Sequence, residues 1–172
     1  MNNMAMKIKR DIKVGGWSEN YEAASYPQKV AGILNDKLVF NFPEGIPAFE
    51  TAKKFLIVLN EKIKPFIYLK SLDIEELGFV CVDPFLICPD YSVSLPAKDM
   101  SLLELKDPGS ALVLAMVTVE GDPKNTTANL LAPIIINMDN LAGRQVILED
   151  NYPVRFRIWE GLENVERNKG GR

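Results

Sequence analysis

Turn signals recur along this chain every 8 to 15 residues, and no long helical pattern separates the apolar runs between them. That spacing favours an antiparallel sheet that closes on itself over a parallel α/β fold, whose strands are joined by helical crossovers. Lys37 to Phe42 alternates, with Leu38, Phe40 and Phe42 on one face. Pro43-Glu44-Gly45-Ile46-Pro47 follows as a turn by its proline and glycine content. Phe55 to Leu59, Pro65 to Leu69 and Phe79 to Val82 are short runs rich in β-branched and aromatic residues, and Tyr91, Val93 and Leu95 alternate again. Ala111 to Val119 and Ile134 to Asn137 are apolar at nearly every position, as strands buried on both faces are. Arg144 to Leu148 and Val154 to Trp159, joined by Glu149 to Pro153, are predicted to form a hairpin. The reading is a mostly β, single-domain antiparallel β-barrel or closed sandwich with a few short helices.

Two short helices are expected, Ser71 to Leu77 and Asp99 to Lys106. Ser101 with Glu104 matches a capping box in the second, and Asp107-Pro108-Gly109 stops it. Residues 1–28 form an N-terminal arm and linker. Ile8, Ile12 and Val14 share one face at period two, which suits an edge strand or an exposed arm, and Gly15-Gly16 opens a polar linker. Residues 29–159 hold the β domain. Residues 160–172 are charged, end in Lys169-Gly170-Gly171-Arg172, and are expected to fray.

The chain contains no histidine, which removes Ser-His-Asp and Cys-His nucleophiles and every histidine metal site. Cys81 and Cys88 are separated by six residues, neither a redox CxxC nor a zinc spacing, and Cys81 in its apolar run reads as a small packed hydrophobe. No cofactor or metal is expected, and no enzymatic activity. Twenty Lys and Arg against 23 Asp and Glu leave a net charge of −3, the wrong sign for a broad phosphate-binding face. The polar, basic N-terminus predicts no signal peptide, and the nine-residue apolar run from Ala111 is too short to span a bilayer as a helix, so a cytoplasmic location is expected.

Two stretches carry candidate binding chemistry. Arg155-Phe156-Arg157-Ile158-Trp159 reads as an RNA-binding strand, or as a barrel strand with Phe156 and Ile158 inward and both arginines outward. From Ser71 to Ala97 there is no Lys or Arg, while Asp73, Glu75, Glu76, Asp83 and Asp90 give that stretch a charge of −5. With Phe85 and Tyr91 as candidate apolar anchors it suits the docking of a basic protein. The same residues read alternatively as an acidic helix start followed by a core strand.

The string Phe42-Pro43-Glu44-Gly45-Ile46-Pro47-Ala48-Phe49-Glu50 resembles the opening signature of the FliW family, the flagellar assembly factors, as do Pro65-Phe66 and Leu69-Lys70-Ser71. Leu77-Gly78-Phe79, Asp83-Pro84 and Tyr91 resemble its middle block. Asn129 to Asn137 with Gly143-Arg144-Gln145-Val146-Ile147-Leu148 are similar to its most specific stretch. Ala48 stands where the family usually has glycine, which predicts no positive φ there; Lys70 stands where glutamine is usual; and the arm is longer than a typical member's. The resemblance implies a non-enzymatic cytoplasmic protein with two protein partners, the RNA-binding translational repressor CsrA and flagellin before its export, and no direct contact with nucleic acid or membrane. Free protein of this kind sequesters CsrA, so flagellin translation rises; accumulated flagellin occupies it and frees CsrA. Gly45, Phe49, Asn129, Pro133, Asn137 and Gln145 are then structural motif residues, the amides among them expected to satisfy backbone groups. The alternative from another class is a small β-barrel that binds RNA or a small ligand directly.

Overall fold

A computed structural model of the chain describes residues 5–10 and 38–170. Seven strands close into a barrel: β2 (Val39–Asn41), β3 (Lys54–Leu59), β4 (Phe66–Ser71), β5 (Gly78–Val82), β7 (Ala111–Thr118), β9 (Ile134–Asn137) and β10 (Ala142–Gln145). Around the barrel the order is β7-β5-β4-β3-β2-β10-β9, and β9 pairs back to β7. Every pairing is antiparallel except the β2–β10 seam, held by Ala142 opposite Asn41 and by the Asn41 N–H donating to the Leu141 carbonyl at 2.8 Å. Closure removes the two edges that an open sheet of this length would expose.

Alternation sorts the side chains into two cores. Phe40, Phe55, Ile67, Leu69, Cys81, Leu112, Leu114, Ile134 and Ile136 fill the barrel interior. Ala111, Val113, Ala115 and Ile135, their neighbours in sequence, point outward into a second core. The register keeps the two sets apart: Leu112 lies opposite Ile136, and Val113 opposite Ile135. This is why β7 and β9 read as continuous apolar runs, since both of their faces are covered.

The outer core is roofed by elements hung on one side of the barrel. They are β1 (Met6–Ile8), α1 (Pro84–Ile87), β6 (Val93–Leu95), and α3 (Ile158–Gly170). All four α1 residues are buried, and Asp83 caps the helix, its carboxylate accepting the Phe85 N–H at 2.9 Å. β8 (Thr127–Ala128) and β11 (Phe156–Arg157) extend the sheet beyond the far end of β7.

Several sequence expectations are corrected here. Ser71 to Leu77 is a bend and turn, not a helix: the Ser71 hydroxyl accepts the Asp73 and Ile74 N–H groups, and Glu76 sits at φ 64°. A hydroxyl that captures local N–H groups competes with the helical bonding pattern. The second helix is α2 (Ala97–Leu102), and Pro96, not Ser101, stands at its N-cap; Ser101 lies in its last turn and Glu104 follows at φ 51°. Arg144 to Leu148 and Val154 to Trp159 do not form a hairpin. β10 is taken by β9 and β2 and β11 by β8, while Val146 and Leu148 donate to the Pro133 and Leu131 carbonyls. From Ile158 the chain is α3, with Leu162 buried in the outer core and Val165 also buried, so residues 160–170 are a docked helix and not a fraying tail. Part of the arm also belongs to the body, because β1 pairs with β6 and Ile8 is 2% exposed. Ile12, Val14 and the Gly15-Gly16 linker lie outside the described residues.

Candidate protein-docking surface

The fold divides the acidic stretch among three places. Asp73, Glu75 and Glu76 sit exposed on the β4–β5 turn at one end of the barrel. Asp83 lies beyond the five residues of β5, which span roughly 16 Å, and its side chain is fully buried. Asp90 is exposed on the loop between α1 and β6. Phe85 and Tyr91 are 1% and 2% exposed and stack edge-on at 5.5 Å, and the Tyr91 hydroxyl donates to the Leu130 carbonyl at 2.7 Å. These two rings are core residues, not exposed anchors. Phe85 lies under Arg10 of the arm and Tyr91 against Tyr152, residues far away in the sequence.

At the β4–β5 end the geometry brings together residues that the sequence lists 20 to 30 positions apart. One Asp73 carboxylate oxygen accepts the N–H groups of both Lys53 and Lys54, at 2.6 and 2.7 Å. Leu72 donates its N–H to the Lys54 carbonyl. The turn is thereby clamped to the 43–53 loop between β2 and β3. In that loop Phe49 is 39% exposed and packs edge-on against Phe79 at 5.5 Å, and Leu72 is 47% exposed. The two backbone N–H bonds hold the Asp73 carboxyl below its ordinary range. Glu50 is also lowered, by its own backbone N–H and then by that of Ala48. Both stay ionised at neutral pH. Phe49 and Leu72 therefore stand beside Glu50, Asp73, Glu75 and Glu76, with the Lys53 ammonium on the Pro43 carbonyl at 2.8 Å and close enough to act on Glu50, as Lys54 acts on Asp73. Exposed apolar side chains beside several carboxylates suit the docking of a basic protein surface. Phe49, read in the sequence as a structural motif residue, is exposed, as Phe85 and Tyr91 were expected to be.

The motif glycine and alanine of this loop have a geometric basis. Gly45 has φ +74°, and a Cβ there would lie 2.6 Å from the Glu50 Cα. Ala48 has φ 71°, against the expectation that alanine marks a position without positive φ. Its N–H donates to the Glu50 carboxylate at 2.9 Å, which helps hold the turn. The other motif residues bond to backbone. The Asn129 side-chain carbonyl accepts the N–H groups of Leu131 and Ala132. Asn137 donates to the Leu103 and Glu104 carbonyls and accepts from Asp139. Gln145 donates to the Ala132 carbonyl, and the buried Pro133 supplies the carbonyl that receives Val146.

The Arg155–Trp159 stretch is not a basic strand. Arg155 pairs with Glu120 and Arg157 with Glu160, while Ile158 is buried and Trp159 donates to the Pro123 carbonyl. Each cation that an RNA phosphate would need already faces a carboxylate. Cys81 is buried and Cys88 half-buried, and neither is in a disulfide; burial pushes the Cys81 thiol up to about 12. Among the described residues no cluster of Cys, Asp and Glu could hold a metal ion, and no helix is long and apolar enough to cross a membrane.

Residues 29–158 match the model of the family described as FliW protein. The chain belongs to the FliW family. The family match spans the whole barrel, the β4–β5 turn and the 43–53 loop. Similar proteins include the flagellar assembly factor FliW of Caldicellulosiruptor saccharolyticus, 39% identical over 78% of this chain and 89% of that one. That of Moorella thermoacetica is 42% identical over 74% and 82%, and that of Thermotoga maritima 36% identical over 84% and 97%. A crystal structure of the flagellar assembly factor FliW superimposes with a TM-score of 0.67 at 35% identity, over 72% of this chain and 86% of that one.

Missed in the sequence was a buried ion pair between the arm and the body. Arg10 donates to the Asp83 carboxylate at 2.6 Å and to the Ala111 carbonyl at 3.3 Å, with its guanidinium 5.1 Å above the Phe85 ring. The partners are 73 residues apart, and no local pattern signals such a pairing.

Proposed function

We propose that this chain is a flagellar assembly factor that works by binding proteins: it sequesters the translational repressor CsrA, so that flagellin is translated, and it binds flagellin in the cytoplasm before export. The observation that carries the reading is membership of the FliW family across residues 29–158, with relatives whose names state a role in flagellar assembly. The surface that supports it is the acidic end of the barrel. There the charge of Asp73, Glu75 and Glu76 draws a basic RNA-binding protein over about a Debye length, ~8 Å at physiological salt. Phe49 and Leu72 then supply apolar contact.

The test is a titration of purified CsrA, and separately of purified flagellin, into the intact protein and its variants. Glu75→Lys with Glu76→Lys is the informative charge reversal, because Asp73 also clamps the loop and its loss would disturb the fold. The double reversal should slow CsrA association and flatten its salt dependence, and Phe49→Ala should raise the dissociation rate. If the wild-type protein binds neither partner, the function is wrong. If CsrA binds both variants as it binds wild type, at low and high salt, the CsrA surface lies elsewhere.

A further inference from the structure

Two chain segments meet at the acidic end of the barrel, and Asp73 joins them. One is the 43–53 loop, which carries Phe49; the other is the β4–β5 turn, which carries Leu72, Glu75 and Glu76. The β3–β4 ladder runs as far as Phe55 opposite Ser71, and the Leu72 N–H bonds the Lys54 carbonyl at 2.8 Å one step beyond. From there the Asp73 side chain carries the connection on. One carboxylate oxygen accepts the Lys53 N–H at 2.6 Å and the Lys54 N–H at 2.7 Å. Asp73 is itself held in place by its own turn. The hydroxyl of the buried Ser71 accepts the Asp73 N–H at 3.2 Å and the Ile74 N–H at 3.1 Å, and the Ser71 N–H bonds the Leu77 carbonyl at 2.9 Å. On the loop side, the Ala52 N–H donates to the Phe49 carbonyl at 3.0 Å and the Phe49 N–H to the Ile46 carbonyl at 2.7 Å. A continuous set of hydrogen bonds thus runs from Ser71 through Asp73 to the chain just beyond Phe49. The two bonds that Asp73 accepts need an oxygen acceptor and not a charge. An asparagine side chain offers the same carbonyl oxygen, with two lone pairs and no charge.

We propose that Asp73 is a positioning residue of the docking surface: by accepting the Lys53 and Lys54 N–H groups it holds the Phe49 loop in register with the β4–β5 turn, so that Phe49 and Leu72 meet a protein partner as one preformed surface. This rests on the function proposed above for its partner. It gives Asp73 a part distinct from steering, which falls mainly on the exposed Glu75 and Glu76. A loop that must be ordered during binding lowers affinity, and a loop already ordered does not. That loss shows in the dissociation rate, whereas losing an exposed charge changes association and its salt dependence.

Three single variants of the full chain separate geometry from charge. Asp73→Asn removes the charge and keeps an acceptor oxygen. Asp73→Ala removes both. Ser71→Ala keeps the charge and removes the hydroxyl that holds Asp73 in place. Hydrogen exchange on the free proteins reads the loop. The Lys53 and Lys54 amides should exchange roughly tenfold faster in Asp73→Ala, should also speed up in Ser71→Ala, and should stay near the wild-type rate in Asp73→Asn, with the β7 and β9 amides unchanged throughout. Titration with purified CsrA reads the surface. Asp73→Ala should bind roughly three- to tenfold more weakly, through faster dissociation, and Asp73→Asn within about twofold of wild type. Lys53 and Lys54 amides that keep the wild-type rate in Asp73→Ala and Ser71→Ala would overturn the assignment, and so would an Asp73→Asn protein that exchanges and binds as poorly as Asp73→Ala. A wild-type protein that binds no CsrA counts against the function proposed above, while the exchange rates decide the role of Asp73 without a partner.

Discussion

Ala48→Gly should make this protein more stable, against the usual direction for putting glycine into a structured segment. Ala48 sits at φ 71° in the 43–53 loop. The left-handed conformation costs an L-residue about 1–2 kcal/mol, and glycine adopts it freely. Against that, glycine adds roughly 0.5–1 kcal/mol of unfolded-state entropy to be lost on folding. Ala48 is exposed, so removing its methyl loses little packing, and its N–H bond to Glu50 survives the change. The balance is a gain of about 0.5–1 kcal/mol, or ~1–4 °C in melting temperature for a chain of this size. Gly45→Ala is the control. Its φ is also positive, and its new Cβ would fall 2.6 Å from the Glu50 Cα, a backbone atom that cannot swing away. That substitution should destabilise by more than ~2 kcal/mol. Thermal and chemical denaturation of both variants decides the matter. A lower melting temperature for Ala48→Gly would refute the strain argument and show that alanine is accommodated there without a left-handed backbone.

Phe85→Ala should destabilise the fold by about 3–5 kcal/mol, as large-to-small changes in a packed core do, while CsrA binding by the folded fraction stays unchanged; denaturation and titration on the same sample separate the two. Gly161→Ala places a Cβ 2.3 Å from the Ile87 carbonyl oxygen, where α3 meets α1, so limited proteolysis should release the C-terminal helix faster while the barrel remains resistant. Burial pushes the Asp83 carboxyl up to about 6, against the lowering pull of Arg10 and the Phe85 N–H. The native state therefore holds this proton at a pH where the unfolded chain, near 3.8, has released it. Its contribution is fully present below about 4 and is lost as pH rises to about 6, so the stability difference between wild type and Asp83→Asn should shift against wild type across that window and level off above it.

The strands were legible wherever one residue's neighbours decide its fate. Alternation in Leu38, Phe40 and Phe42, and the doubly apolar runs of β7 and β9, are local patterns, and their burial follows once any closed sheet forms. The hairpin between Arg144 and Trp159 failed because pairing is not local: β10 was claimed by β9 and by the parallel seam to β2. The candidate site failed in part for a related reason. Exposure of Phe85 and Tyr91 turns on whether Arg10 and Tyr152 reach them, and those residues lie far from them in the sequence.

The sequence by itself therefore determined the β class, the absence of histidine chemistry and the membership that the signature blocks carry, because each is a property of residue types or of short spacings. The tertiary structure alone decided which charges act. Of five acids in one stretch of negative sequence, it left three on a clamped turn beside Phe49, put Asp90 on a separate loop, and sank Asp83 against Arg10. Solvation and partnership decide what a carboxylate can do, and both are set by neighbours that only the folded chain brings within reach.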